Sequence, residues 1–360
     1  MKIQLTGLHQ LKIEEEGGRL KKPPIDQTTL SVTHCAVCRT DAKIWNEGHR
    51  DLMLPVVPGH EIVGVKDNIR YAIWPGIVCG KCTYCKTARE NLCEAIQIIG
   101  FHRDGGFASE ILIPEYNLIK VPEEIPSSAA TFAEPLGCVI NALNKAQLGE
   151  NEHILIYGAG TLGIITALYT MEMGAIPTII EHDPVKIAKG KALDKGEALN
   201  IVKNTDQSYF DCVINACSDA SAFGKGITKL AKGGTLVFFS GLNKNEKLES
   251  NLINLIHYRE LKLVGAYGLK KADMQCAMTF IRTHHKKLNA LIENLVAPHE
   301  VEELLPTVLS GDYYKFVIDF NLSKDHTISK KNARVEAINQ KNIKKERYDN
   351  EIQSDNTNYE

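Results

Sequence analysis

Gly158-x-Gly160-x-x-Gly163 limits what this chain can fold into more than any other stretch. It follows the compact apolar run His153-Ile154-Leu155-Ile156-Tyr157 and opens a helical segment from about Thr161 to Met173. A strand that turns into a helix on three glycines lets backbone approach a pyrophosphate, whose charge the helix N-terminus attracts. Gly158, Gly160, Thr161, Leu162 and Gly163 are therefore candidate cofactor contacts. A tight strand–helix turn without a ligand needs the same glycines. The acid Glu181 favours the nucleotide reading, because it ends the next strand, Thr178-Ile179-Ile180, at about the 20-residue spacing of a ribose-binding acid. A carboxylate there accepts from ribose hydroxyls and repels a 2′-phosphate, so NAD is the expected cofactor.

Strand and helix alternate beyond this turn. A helix is expected near Pro184 to Leu193, then strands at Cys212-Val213-Ile214, Thr235 to Phe239 and Lys262 to Gly265. Such alternation builds parallel βαβ units and a doubly wound sheet. Before it, residues 1 to about 135 read as β-rich: Lys2 to Leu8, Thr29 to Thr33, Glu61 to Lys66 and Phe107 to Ile113 are short apolar runs between Pro and Gly punctuation. Little helix is expected there beyond a piece near Asp41 to Trp45. Ser127-Ser128-Ala129-Ala130 reads as a helix start leading to Ala133-Glu134-Pro135, and a second helix is expected from Gly137 to Ala146. Asp273 to about Glu293 and Glu300 to Leu309 read as helices, the latter bent at Pro306, and Lys315 to Asp319 as a last strand. Residues 321–360 are dominated by Lys, Asn, Asp, Glu and Gln and are expected to be a disordered tail.

The 360 residues suffice for two domains, and the net charge of −2 gives no reason to expect nucleic acid or an anionic membrane as partner. No apolar run has the length of a membrane span, and the N-terminus lacks the apolar core of a secretory signal, so a cytoplasmic location is expected. In that setting ten cysteines point to metal binding or free thiols rather than disulfides.

Two groups of residues carry metal chemistry. Cys79-x-x-Cys82-x-x-Cys85 and Cys93 offer four thiolates from one loop, enough to close a tetrahedron around structural zinc. Iron–sulfur runs use similar gaps, but their fourth cysteine sits closer and precedes proline, whereas Cys93 precedes Glu94. The second group is scattered. Cys38 and His60 suit a zinc that keeps one open position, and either Glu61 or Glu134 can supply an oxygen. Asp41 is placed to hold the His60 ring rather than to bind the metal. Cys35 is expected in the core.

With these stretches in hand, the chain resembles the zinc-containing medium-chain dehydrogenase/reductase family, nearest its sorbitol, threonine and alcohol dehydrogenase branches. The resemblance covers roughly residues 1–320. It implies an α/β protein with a GroES-like β-barrel catalytic domain over 1–135, completed by about 275–320, and a Rossmann doubly wound parallel sheet over 136–274. It implies two zinc ions per chain: Cys38 and His60, with Glu61 or Glu134, at the catalytic one, and the four loop cysteines at the structural one. Thr40 is the implied hydroxyl of a proton relay, Lys43 stands where the family usually carries the relay histidine, and Arg39 is an implied pyrophosphate contact. Phe132-Ala133-Glu134-Pro135-Leu136 looks like the polyol-dehydrogenase form of the third-ligand region, and Cys138 is out of register for that role. The segment between Gly64 and Cys79 is shorter than usual and lacks the familiar Gly-Asp-Arg-Val.

The expected function is hydride transfer between a secondary alcohol or polyol, or its carbonyl product, and NAD(H), by a homodimer or homotetramer. Primary-alcohol or aldehyde chemistry and a non-catalytic binding or scaffold role are the rivals.

Overall fold

The computed structural model describes residues 1–15, 24, 26–193, 199–242, 247 and 249–322. The expected tail lies almost wholly outside them.

Two sheets dominate. The first has seven strands in the order Ile292–Val296, Lys315–Asp319, Gln27–Val37, Glu61–Lys66, Ile69–Ile73 and Leu118–Lys120, with Glu110–Pro114 also paired to Gln27–Val37. Its pairings are antiparallel except the first. The last strand of the described chain thus lies against an early one, with Asp319 opposite His34 and Phe316 opposite Val37. The short segment after Gly64 becomes a hairpin whose two turn residues, Asp67 and Asn68, both have positive φ (50° and 61°). Asp and Asn tolerate that conformation better than most residues, and such a turn matches the twist of the strands it joins.

The second sheet is parallel throughout, in the order Asn200–Val202, Ile176–Ile180, His153–Tyr157, Phe210–Asn215, Leu230–Phe238, Lys262–Gly265. Both of its faces are covered, as a parallel sheet requires. Ile154, Ile156, Ile179 and Ile214 pack on one side with Val139 and Leu143 of the helix Ala133–Ala146 and with Ile281 of Lys271–Asn289. Leu155, Val213 and Leu236 face the other way, against Phe223 and Ile227 of Ala220–Lys229. The order of the strands reverses between His153–Tyr157 and Phe210–Asn215, which opens a crevice at their carboxyl ends.

Two local expectations are corrected, and two helices are added. The helix expected from Gly137 starts at Ala133, because Pro135 falls in its first turn, where a missing N–H costs nothing. The helix expected to reach Glu293 ends at Asn289, and Ile292–Val296 is a strand instead. Pairing with Lys315–Asp319 overrides the local helical pattern there. The helices Ala220–Lys229 and Ser250–Tyr258 went without an assignment in the sequence. Ser250–Tyr258 buries no residue fully, so it has no sharp apolar stripe to betray it.

Candidate active site

The carboxyl ends of the parallel strands face the ends of three inner strands of the antiparallel sheet, Gln27–Val37, Glu61–Lys66 and Lys315–Asp319, across a cavity of about 380 Å³. From the antiparallel side Cys38, Thr40, His60, Glu61 and Lys315 line it. Gly158, Gly160, Thr161, Leu162 and Glu181 line it from the parallel side, and Glu134 and Cys138 come from the helix between.

Cys38 ends the strand Gln27–Val37 and caps the helix Arg39–Glu47. Its Sγ accepts from the Thr40 N–H at 3.5 Å, and its own N–H donates to Asp41 Oδ2 at 2.8 Å. A thiolate at a helix N-terminus gains from the helix dipole. Asp41 is fully buried; its Oδ1 accepts from the Gly59 N–H at 3.2 Å and lies 3.5 Å from His60 Nδ1. One carboxylate therefore ties the Cys38 turn to the His60 loop and orients the imidazole, the role expected for it. Only glycine fits before His60: Gly59 has φ +95°, and a Cβ there would lie 2.5 Å from the Phe107 ring. Burial disfavours the His60 imidazolium, but Asp41 and Cys38 outweigh it and hold the His60 pKa well above its ordinary value.

Cys38, His60 and Glu61 bring their ligand atoms within 4.8 Å of one another. Glu134 lines the same cavity outside that compact set. Both Glu61 oxygens accept from the buried Lys315 Nζ at 2.8 Å. Burial pushes the Glu134 carboxyl up to about 7, reinforced by Glu61 and opposed by His60 and Lys315, and its Oε1 accepts from Cys138 Sγ at 3.5 Å. A half-buried thiol, an imidazole and two carboxylates thus meet at one end of the cavity. That donor chemistry fits zinc.

The four loop cysteines converge as well. Cys79, Cys82, Cys85 and Cys93 place their sulfurs within 4.8 Å of one another, with Cys82 and Cys85 3.5 Å apart. Backbone N–H groups of Cys79 and Cys82 donate to Cys93 Sγ and Cys79 Sγ, as suits sulfurs carrying negative charge. All ten cysteines are free thiols.

At the glycine turn, Gly158 has φ +100°, and a Cβ on Gly163 would lie 1.8 Å from the Gly158 carbonyl oxygen. Gly163 therefore sits behind the turn and allows helix and strand to close up, while Gly158 and Gly160 face the cavity. Glu181 Oε2 accepts from the Ala159 N–H, and Oε1 from the His182 and Asp183 N–H groups, so its carboxylate is fixed beside the turn. Thr161 spends its hydroxyl on the Tyr314 carbonyl at 2.8 Å. Arg39 lines the cavity on the first turn of its helix, whereas Lys43, further along that helix, does not line it. Sequence reading assigned no role to Lys315, Phe239, Tyr267 or Tyr314 and set Cys138 aside as out of register, yet all five line the cavity. Lys315 carried a signal, a lone cation in an apolar terminal strand; the others only converge in three dimensions.

Residues 24–123 match the Alcohol dehydrogenase GroES-like domain family. The chain is 27% identical over 336 residues to an L-threonine 3-dehydrogenase of Chelativorans sp., covering 85% of this chain and 96% of that one. It is 27% identical over 302 residues to D-altritol 5-dehydrogenase of Agrobacterium fabrum, covering 79% and 88%. L-idonate 5-dehydrogenase from Escherichia coli shares the fold with a TM-score of 0.79 at 19% identity, over 89% of this chain and 97% of that one. A zinc and nicotinamide-nucleotide dehydrogenase is the class that this fold and cavity define. Residues 24–123 belong to that GroES-like domain family, and over most of its length the chain is similar to zinc-type medium-chain dehydrogenases.

Proposed function

We propose that this protein transfers a hydride between a secondary alcohol or polyol, or the matching carbonyl compound, and NAD(H). The observation that carries the reading is the convergence of Cys38, His60 and Glu61 on the cavity that also holds the Gly158–Leu162 turn and Glu181. The relatives are named for oxidation at position 3 of threonine and position 5 of altritol, which favours an internal hydroxyl.

When bound, zinc supplies Lewis acidity to the alcohol oxygen, and the nicotinamide takes up the hydride. Cys38 and His60 hold the metal, with Glu61 or Glu134 as the third protein contact, and Asp41 keeps the His60 ring in place. Thr40, at the cavity wall beside Cys38, takes the hydroxyl proton. Gly158 and Gly160 let backbone approach the pyrophosphate, Arg39 adds a cation, and Glu181 accepts from the ribose. Cys79, Cys82, Cys85 and Cys93 hold a second, structural zinc. Lys43 is the weakest member of the expected relay, because it stands off the cavity. The parallel sheet ends on an open edge, Lys262–Gly265, where Leu263 is exposed, and that edge favours a homodimer. Among the described residues no helix is long and apolar enough to cross a membrane. Ten cysteines with no disulfide among them favour the cytoplasm.

The test is a screen of small polyols, amino alcohols and simple alcohols for NADH formation by the purified protein. Turnover that a zinc chelator abolishes and added zinc restores is the expected result. Turnover that chelators leave untouched refutes the reading.

A further inference from the structure

Four hydrogen bonds anchor the backbone of one wall of the cavity. Ala266, Tyr267 and Gly268 follow the edge strand Lys262–Gly265 and line the cavity beside Ala216, Cys217 and Phe239. These six residues lie beyond the carboxyl ends of the three strands on the far side of the switch point from Glu181. A dinucleotide laid across that point puts its adenosine half toward Glu181 and its nicotinamide half on this wall.

The Tyr267 carbonyl accepts from Asn141 Nδ2 at 3.3 Å and from Asn91 Nδ2 at 2.9 Å. Asn141 also donates to the Gly268 carbonyl at 3.0 Å, and Trp74 Nε1 donates to Leu269 at 3.2 Å. Asn141 comes from the helix Ala133–Ala146 and Trp74 from just beyond the Asp67–Asn68 hairpin. Asn91 is different. It sits in the turn Glu90–Leu92 between Cys85 and Cys93, 6% exposed, inside the loop that the four thiols close.

We propose that Asn91 is a positioning residue through which the cysteine loop sets the nicotinamide-side wall of the cavity. Its amide bonds the carbonyl of a cavity residue 176 positions away in sequence. Two backbone bonds close the turn around Asn91, one of them from a member of the thiol set: the Cys93 N–H donates to the Glu90 carbonyl, and the Leu92 N–H to the Arg89 carbonyl. A metal gathering Cys79, Cys82, Cys85 and Cys93 fixes that turn and so fixes the donor. The cysteine loop then has a role in cofactor affinity besides its role in folding.

This inference rests on the dinucleotide reading of the cavity, and two readouts separate the two. The first is amide hydrogen exchange across residues 266–269 of the zinc-loaded protein, which needs no cofactor. The second is NADH affinity by fluorescence titration, with kcat and KM for NAD. Asn91→Leu keeps most of the side-chain volume and removes the donor. It is expected to speed exchange in 266–269, to weaken NADH binding by about tenfold, and to change kcat at saturating NAD by less than about twofold, with zinc content intact. Cys82→Ser, which breaks the thiol set, is expected to give the same shift in NADH affinity. The double variant is then no worse than either single one, because both act through one contact. Unchanged exchange and NADH affinity in Asn91→Leu overturn the proposal, and so do single effects that multiply in the double variant. If Cys82→Ser does not fold, Asn91→Leu alone decides. A wild-type protein that binds no nicotinamide nucleotide sinks the function reading instead, and the exchange rate still decides whether Asn91 braces the wall.

Discussion

Lys315 Nζ stands 2.8 Å from both carboxylate oxygens of Glu61, with the two side chains 6% and 1% exposed. Burial opposes the Lys315 ammonium, yet Glu61, Cys38 and Glu134 hold its pKa above the ordinary lysine value. The pair gives the carboxylate next to His60 a buried counter-ion. Lys315→Met strands that carboxylate in the interior, at a cost of about 3 kcal/mol. Chemical denaturation of the two proteins measures it, and equal stabilities mean that water reaches the pair.

Glu134 touches the chemistry by either of its proposed roles, as metal contact or as partner to what the metal holds. Glu134→Ala is expected to lower turnover by about 100-fold and leave the fold intact. Glu134→Gln keeps the size and should lose nearly as much if charge is the point. Near-normal turnover with full zinc content in Glu134→Ala transfers the role to Glu61.

Metal analysis of the purified protein should find two zinc ions per chain, one for each converging ligand set. Cys82→Ser should lose one and keep the other. Iron with acid-labile sulfide in the preparation contradicts the thiol-site assignment.

Glu181 is expected to set the choice of nucleotide. Its carboxylate is fixed by three N–H groups beside the turn, so a 2′-phosphate would meet a charge that cannot swing away. The preference for NAD over NADP should fall by at least about tenfold in Glu181→Ser, read as the ratio of kcat/KM values. An unchanged ratio assigns the discrimination elsewhere, with Lys186 on the cavity wall the first suspect.

His34 lies opposite Asp319, with its Nδ1 buried and unpartnered. Burial lowers its pKa below the ordinary 6.5, an effect that Asp319 opposes and Arg70 reinforces. A base with a depressed folded pKa stabilises the fold above its unfolded pKa and loses that contribution as pH falls through the folded value. Thermal stability should therefore drop below about pH 6.5, and less steeply in His34→Gln than in the wild type. Parallel pH profiles would show that His34 does not drive the loss.

Much of this was legible in residue order. The strands at His153–Tyr157 and Lys315–Asp319 and the helix after Gly160 have sharp apolar patterns and glycine or proline punctuation, so local rules find them. The ligand candidates were legible because Cys38, His60 and the four loop cysteines are chemically conspicuous. What stayed hidden depends on distant partners. Ile292–Val296 is a strand only because Lys315–Asp319 lies beside it, and Glu61 holds an ammonium from 254 residues away. Asn91 and Tyr267 carry no mark until the chain brings the amide of one to the carbonyl of the other at the cavity wall.

That late strand also imposes an order of events on a growing polypeptide. Val37, Cys35 and His34 are made early, yet their neighbours Phe316, Ile318 and Asp319 leave the ribosome some 280 residues later. Until then the His34–Val37 end of that strand is bare on one side and Glu61 lacks its Lys315 counter-ion. The nascent chain can gather its loop cysteines and its parallel sheet long before the pocket around His60 is electrically complete. A polypeptide released before Lys315 would keep its parallel sheet and its loop cysteines but lack the ammonium that balances Glu61.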